Sequence, residues 1–213
     1  MAAIFFDLDG TLTDSSEGIT KCAQLALGHF GIQVEDRTTL TDFIGPPLRD
    51  TFPKRGVPAD RVEEAVTKFR ERYLTVGKFE NTPYPGIENV LKTLKERGYA
   101  LYVATSKPEE TAIEILNKFK LSPYFDVICG ADMAGLRDEK DKVIAWLLSK
   151  IPREETILMV GDTDFDVLGA KKHNIPCIGV TWGFGSRESM EQAGAVRVVD
   201  TMEELAKTII SLV

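Results

Sequence analysis

The chain has 213 residues, 43% hydrophobic and 28% charged, which is enough apolar material for a sizeable core and excludes a disordered chain. That length fits one large domain, or one domain carrying a smaller one. The 26 Lys and Arg against 33 Asp and Glu give a formal charge of −7, which argues against a nucleic-acid surface, because such a surface needs a basic stripe.

In chain order, the first element is an apolar run at residues 4–8. "AAIFFDLDGTLTDS" places Asp7 and Asp9 at the edge of this buried strand. Residues two apart on a strand point the same way, so both acids can face one site. The next strand pattern begins only at residue 100, although connections in compact domains are usually far shorter. Helical stretches fill the gap at 18–30, 47–54 and 60–76. In the last, Val62, Val66, Phe69 and Tyr73 share a face. Residues 16–82 are expected to form an inserted helical subdomain. Its return hinge is "NTPYPG", 81–86, where two prolines and a glycine interrupt regular structure.

Beyond the hinge, β-rich runs at 100–104, 126–129, 156–160, 177–180 and 196–199 alternate with helical patterns. Ile87, Val90, Leu91 and Leu94 form one such face; Ala112, Ile115, Leu116 and Phe119 form another. Val143, Ile144, Leu147 and Leu148 form a third, and 203–212 closes the chain. Strand–helix alternation of nearly continuous apolar strands predicts an α/β fold. The expected fold is a Rossmann-like parallel sheet with helices on both faces, built from residues 1–15 and 83–213.

Cys22, Cys129 and Cys177 are widely spaced without a C-x-x-C pair, so they read as core residues rather than a zinc site or a disulfide framework. His29 and His173 lie far apart and no G-x-S-x-G is present, which sets aside a serine or cysteine hydrolase. With no signal peptide and no apolar run that spans a bilayer, a cytoplasmic location and no membrane partner are expected.

A second acidic cluster follows an apolar strand in "LMVGDTDFDVLGA", with Asp162, Asp164 and Asp166. If its strand neighbours the first, Asp162 comes close to Asp7. Several carboxylates so placed repel one another unless a cation sits between them, and an all-oxygen site with few protein ligands favours Mg²⁺. A calcium loop fails on spacing, since Gly10 is fourth in its run and the twelfth position of the second run is His173. Asp164 reads as a turn former or helix N-cap. "LYVATSKPEET" ends a strand at Thr105-Ser106 before a helix, a setting that holds phosphate well. "RDEKDKVIAWLL" opens a helix in which Lys140 sits unfavourably early for the dipole, with Lys142 as its rival.

Together these residues resemble the haloacid dehalogenase superfamily of phosphatases over essentially the whole chain. "DLDGTLTD" is similar to its first motif, D-x-D-G-T. Thr105 matches the second, Lys140 the third, and "GDTDFD" the fourth through Asp162 and Asp166. The insertion resembles the helical cap of the phosphoglycolate phosphatase subfamily, as do "GPPL" within it and "GVTWGFG" after the fourth motif. Ser106 departs from the Asn common after the second motif.

The resemblance implies a Mg²⁺-dependent phosphatase acting on a small phosphorylated metabolite: phosphoglycolate, a nucleotide or a sugar phosphate. Asp7 would be the nucleophile, forming an aspartyl-phosphate, and Asp9 the acid and base. Asp9 would reach the metal only through its backbone carbonyl, whereas Asp7 and Asp162 would bind it by their side chains and Asp166 would bind it or orient a water. Thr105, Lys140 and backbone N–H groups near Gly10 and Ser106 would stabilise developing charge. Arg49, after "GPPL", is the candidate substrate contact from the cap. "GFGSRE" lacks a dinucleotide fingerprint and is expected as a loop near the site. A phosphomutase with the same acid pair, as in β-phosphoglucomutase, and a phospho-aspartate signalling module are the alternatives.

Overall fold

The structure is a computed structural model and describes residues 2–132, 136–152 and 156–213. It divides into two units, Met1–Thr13 with Pro83–Val213, and Asp14–Thr82. Strand β1 (Ala2–Phe6) opens the first unit, and β2 (Thr13–Asp14) pairs with β3 (Thr82–Pro83) where the chain leaves and re-enters it. The remaining strands are β4 (Ala100–Pro108), β5 (Val127–Ala131), β6 (Thr156–Gly161), β7 (Cys177–Val180) and β8 (Arg197–Val199). Among the described residues the main sheet has six strands in the order β5-β4-β1-β6-β7-β8, and each neighbouring pair is parallel.

Parallel strands buried on both faces need apolar side chains on both, and β1 supplies them alternately. Ile4 and Phe6 enter a core with Leu101, Val103, Leu158 and Val160. Ala3 and Phe5 enter the opposite one with Tyr102, Ala104 and Met159. The first face is covered by α4 (Ile87–Glu96), α5 (Glu109–Lys118) and α9 (Met202–Leu212). The second is covered by α6 (Lys140–Lys150), α7 (Asp164–Lys171) and α8 (Arg187–Ala193). All three cysteines are free and buried, as core residues.

The second unit contains α1 (Ser16–His29), α2 (Leu48–Lys54) and α3 (Val62–Tyr73), with a 3₁₀ segment at Arg37–Phe43. Its interior holds Cys22, Ala26, Leu27, Leu40, Phe52, Val66 and Phe69, and the rings of Phe43 and Phe52 meet edge-on at 4.9 Å. Helix α1 lies directly on the backbone near residue 77. A Cβ on Gly18 would fall 2.0 Å from the Gly77 carbonyl oxygen, and Gly18 N–H donates to Glu80 O. No helix among the described residues is long and apolar enough to cross a membrane.

Three expectations shift. The first strand ends at Phe6 rather than residue 8, because the Leu8 carbonyl accepts from Leu12 and Thr13 N–H in a tight turn. Strand β4 runs to Pro108 rather than stopping at 104, pairing with β5 across an irregularity between Ala104 and Pro108. Asp164 is not an N-cap: Thr163 caps α7, and Asp164 is the first helical residue.

Candidate active site

In an open parallel sheet, ligands bind beyond the carboxyl ends of the strands where strand order reverses. Here that place lies beside β1, from which the chain proceeds to β4 and β5 on one side and to β6, β7 and β8 on the other. Asp7 and Asp9 follow β1, Asp162 follows β6, and Thr105 and Lys107 lie near the end of β4.

Asp7, Asp162 and Asp166 form one buried group, with a carboxylate oxygen from each lying within 4.8 Å of the others. Lys140, the first residue of α6, is buried and enters this group. Its Nζ lies 2.7 Å from Asp7 Oδ1 and 2.8 Å from Asp166 Oδ1, and it donates to the Ala104 carbonyl at 3.0 Å. Lys142 instead pairs on the surface with Glu139. An early helical lysine works against the dipole; here two buried carboxylates outweigh that.

The carboxylates are held differently. Asp166 completes a capping box at the start of α7: its Oδ2 accepts from Thr163 N–H at 3.1 Å and from the Thr163 hydroxyl at 2.9 Å. Asp162 is fully buried and accepts from the Thr11 hydroxyl at 3.1 Å and from Phe184 N–H at 2.8 Å. The turn that brings Thr11 there uses Gly10 at φ +86°, where a Cβ would lie 2.1 Å from an Asp162 oxygen. Gly183 meets the same carboxylate from the other side, its notional Cβ 2.3 Å from Oδ2. The loop after β7 thus cradles Asp162, and Trp182 Nε1–H secures it by donating to Thr11 O at 3.2 Å.

Burial pushes the Asp7 carboxyl up to about 6, with Lys140 pulling it down and Asp166 pushing it up further. Burial also raises Asp162, reinforced by Asp166 and Asp7, and the Phe184 and Thr11 donors offset part of this. For Lys140, burial works against the charged form, but Asp166 and Asp7 outweigh it and hold the ammonium above the usual lysine range.

Asp9 is placed apart from the three-carboxylate group. Its Oδ2 pairs with Lys107 Nζ at 2.7 Å. Thr105 is buried, with its hydroxyl accepting from Lys107 N–H at 3.2 Å, and Ser106 is half-buried. The Gly10 N–H donates to Thr13 O, so this residue serves the turn rather than offering a free donor. Arg49 belongs to the second unit, where its guanidinium grips both carboxylate oxygens of Glu63.

Two neighbours were not singled out from the sequence. Lys107 carries a signal, a lysine two residues after Thr105 at the end of an apolar strand. Trp182 carries a weaker one, an indole N–H that needs a partner when buried.

The haloacid dehalogenase-like hydrolase family matches residues 4–180. A 5'-nucleotidase of Pseudomonas aeruginosa is 44% identical over 189 residues, 88% of this chain and 86% of that protein. The tyrosine-protein kinase PtkA of Mycobacterium tuberculosis is 37% identical over 209 residues, 97% of this chain and 72% of the kinase. A phosphoglycolate phosphatase of Aquifex aeolicus is 35% identical over 186 residues, 86% of each chain. The crystal structure of a predicted phosphatase from Clostridium acetobutylicum superimposes with a TM-score of 0.95 at 43% identity, covering 99% of this chain and 98% of the other. A match of this extent to the whole sheet unit and its insertion places the chain in the haloacid dehalogenase-like hydrolase family, among its phosphatases.

Proposed function

We propose that the chain hydrolyses a small phosphomonoester through an aspartyl-phosphate on Asp7, with Mg²⁺ as cofactor. The observation that carries this reading is the meeting of Asp7, Asp162 and Asp166 in one buried group, in which the Lys140 ammonium pairs with Asp7 and Asp166. Three buried carboxylates exceed one ammonium in charge, and a hard divalent cation offsets the excess. An all-oxygen donor set with room for water and phosphate suits Mg²⁺. Asp7, Asp162 and Asp166 would hold it, and Asp9 would add its backbone carbonyl, leaving its carboxylate to Lys107. When bound, the ion offsets phosphate charge and fixes the direction of Asp7.

The chain's own residues then divide the work. Asp7 attacks phosphorus as the ester oxygen leaves. Asp9 gives that oxygen a proton, and later takes one from the water that hydrolyses the intermediate. Lys140, the Thr105 hydroxyl and the backbone N–H of Ser106 face the charge that builds on the phosphoryl oxygens, each such donor contributing about 3 kcal/mol. For Arg49 to touch substrate, its guanidinium must exchange Glu63 for it.

The test is phosphate release from a panel of small phosphomonoesters, among them phosphoglycolate, nucleoside monophosphates and sugar phosphates, with Mg²⁺ and with EDTA, beside Asp7→Asn. One ester turned over far ahead of the rest, with both EDTA and Asp7→Asn abolishing release, is the expected result. Full activity in Asp7→Asn would sink the mechanism. The likeness to a tyrosine-protein kinase supports a second reading, phosphoryl transfer to a protein. Phosphate from ATP appearing on a tyrosine peptide, with no release from the panel, would favour it.

A further inference from the structure

Two buried lysines divide three acids between them. Lys140 takes Asp7 and Asp166, and Lys107 takes Asp9. The side chains of Lys107 and Asp9 are 4% and 11% exposed. Desolvating such a pair costs about as much as its attraction returns, so a buried ion pair is weakly justified by stability and better by the geometry it fixes. What this pair fixes is the difference between the two Asp9 oxygens. Oδ2 faces the ammonium at 2.7 Å, whereas Oδ1 is buried and accepts no hydrogen bond among the described residues. The backbone supports the arrangement. Lys107 lies within the irregular end of β4, between Ala104 and Pro108, and its N–H is anchored on the hydroxyl of Thr105 at 3.2 Å.

We propose that Lys107 is a positioning residue which, by holding Oδ2 of Asp9, leaves Oδ1 as the one oxygen that exchanges a proton with substrate. This rests on the acid and base role given to Asp9 above. In the first half-reaction the Asp7–phosphorus bond forms, the ester phosphorus–oxygen bond breaks, and the proton on Asp9 Oδ1 passes to the departing oxygen. In the second, the water oxygen bonds to phosphorus, the Asp7–phosphorus bond breaks, and the water's proton returns to Oδ1. A carboxylate free to turn would present its proton from either oxygen and in several directions; held at one oxygen, it presents it in one.

Leaving groups that need a proton separate this role from a structural one. p-Nitrophenolate departs unprotonated, and the alkoxide of glycerol 2-phosphate does not. Single-turnover phosphorylation is therefore measured on both esters with wild type, Lys107→Met, Lys107→Gln, Lys107→Arg and Asp9→Asn. General acid catalysis is worth ~10²–10⁴-fold. The Met and Gln variants should lose at least ~10-fold more rate on glycerol 2-phosphate than on p-nitrophenyl phosphate. KM should change little, and Lys107→Arg should recover most of the loss. Equal losses on both esters in whichever of the two variants folds would overturn the proposal while leaving Asp9 in its role, provided Asp9→Asn itself discriminates between them. If Asp9→Asn loses both esters equally, the acid and base reading falls, and the role of Lys107 falls with it.

Discussion

Nζ of Lys140 stands 2.7 Å from Oδ1 of Asp7, at the point where α6 begins and β1 has just ended. The same ammonium touches Asp166, so it ties the candidate nucleophile to the last acid of the fourth motif. Lys140→Met removes the ammonium in direct contact with both and should lower kcat by about 10²-fold or more. Lys142→Met breaks only an exposed pair with Glu139 and should leave kcat within about 2-fold, since exposed pairs contribute little. Steady-state kinetics of the two variants side by side checks the assignment.

Stability should fall with rising pH, and Mg²⁺ should oppose that fall. Burial raises Asp7 to about 6 in the folded chain, above its value of ~3.9 when unfolded. A raised carboxyl favours the folded state below the unfolded pKa, and that advantage is lost as pH rises through about 6. Asp162 is shifted the same way. In EDTA, the wild-type melting temperature should fall between pH 5 and pH 7.5 more steeply than that of Asp7→Asn. Added Mg²⁺ should raise wild type more at pH 7.5 than at pH 5. Thermal melts over that matrix decide it, and identical slopes for the two proteins would count against the charge imbalance.

Gly183→Ala probes the cradle. Its new Cβ would sit 2.3 Å from Asp162, so either the carboxylate or the loop after β7 must move. Displacing groups that orient a metal-binding side chain costs ~10–100-fold in affinity. Isothermal titration with Mg²⁺ should show a loss in that range, with the fold retained by circular dichroism.

In the second unit, Glu80 joins Arg72 through two hydrogen bonds and also pairs with Lys21. The Arg72 guanidinium leads in holding the Glu80 carboxyl down at about 2. A lowered carboxyl stabilises the fold above its unfolded pKa, and that contribution is lost as pH falls toward about 2. Glu80→Gln should cost about 1 kcal/mol at pH 7, a value reduced by partial exposure, and the gap to wild type should close in acid. Urea melts at pH 7 and pH 3 measure both.

The strands and the order of the acids could be read directly because both rest on local pattern. A strand buried on two faces is apolar throughout, and 177–180 coincides with β7 residue for residue. Helix α8 leaves little apolar pattern in the sequence because it is short and buries only Met190 along its length. Residue 9 shows what local pattern omits. Spacing on a strand puts Asp7 and Asp9 on one side, but the turn at Leu8 ends the strand first, and the two carboxylates settle on different lysines. Lys140 was separated from Lys142 only by burial, a tertiary property that neither residue's neighbours in the chain disclose. The clamp of Thr11, Phe184 and Trp182 on Asp162 joins segments more than 150 residues apart in part, beyond the reach of any periodicity.

The pairing of β2 with β3 has an evolutionary consequence. Because the outgoing and returning strands are neighbours, the sheet unit meets everything from Asp14 to Thr82 as one loop closed at its base. Closure entropy grows only logarithmically, about 0.6 kcal/mol for each doubling of length. The ribbon is thus a socket: segments of very different size and shape can be exchanged through it at little thermodynamic cost, while Asp7, Asp162, Asp166 and Lys140 keep their places.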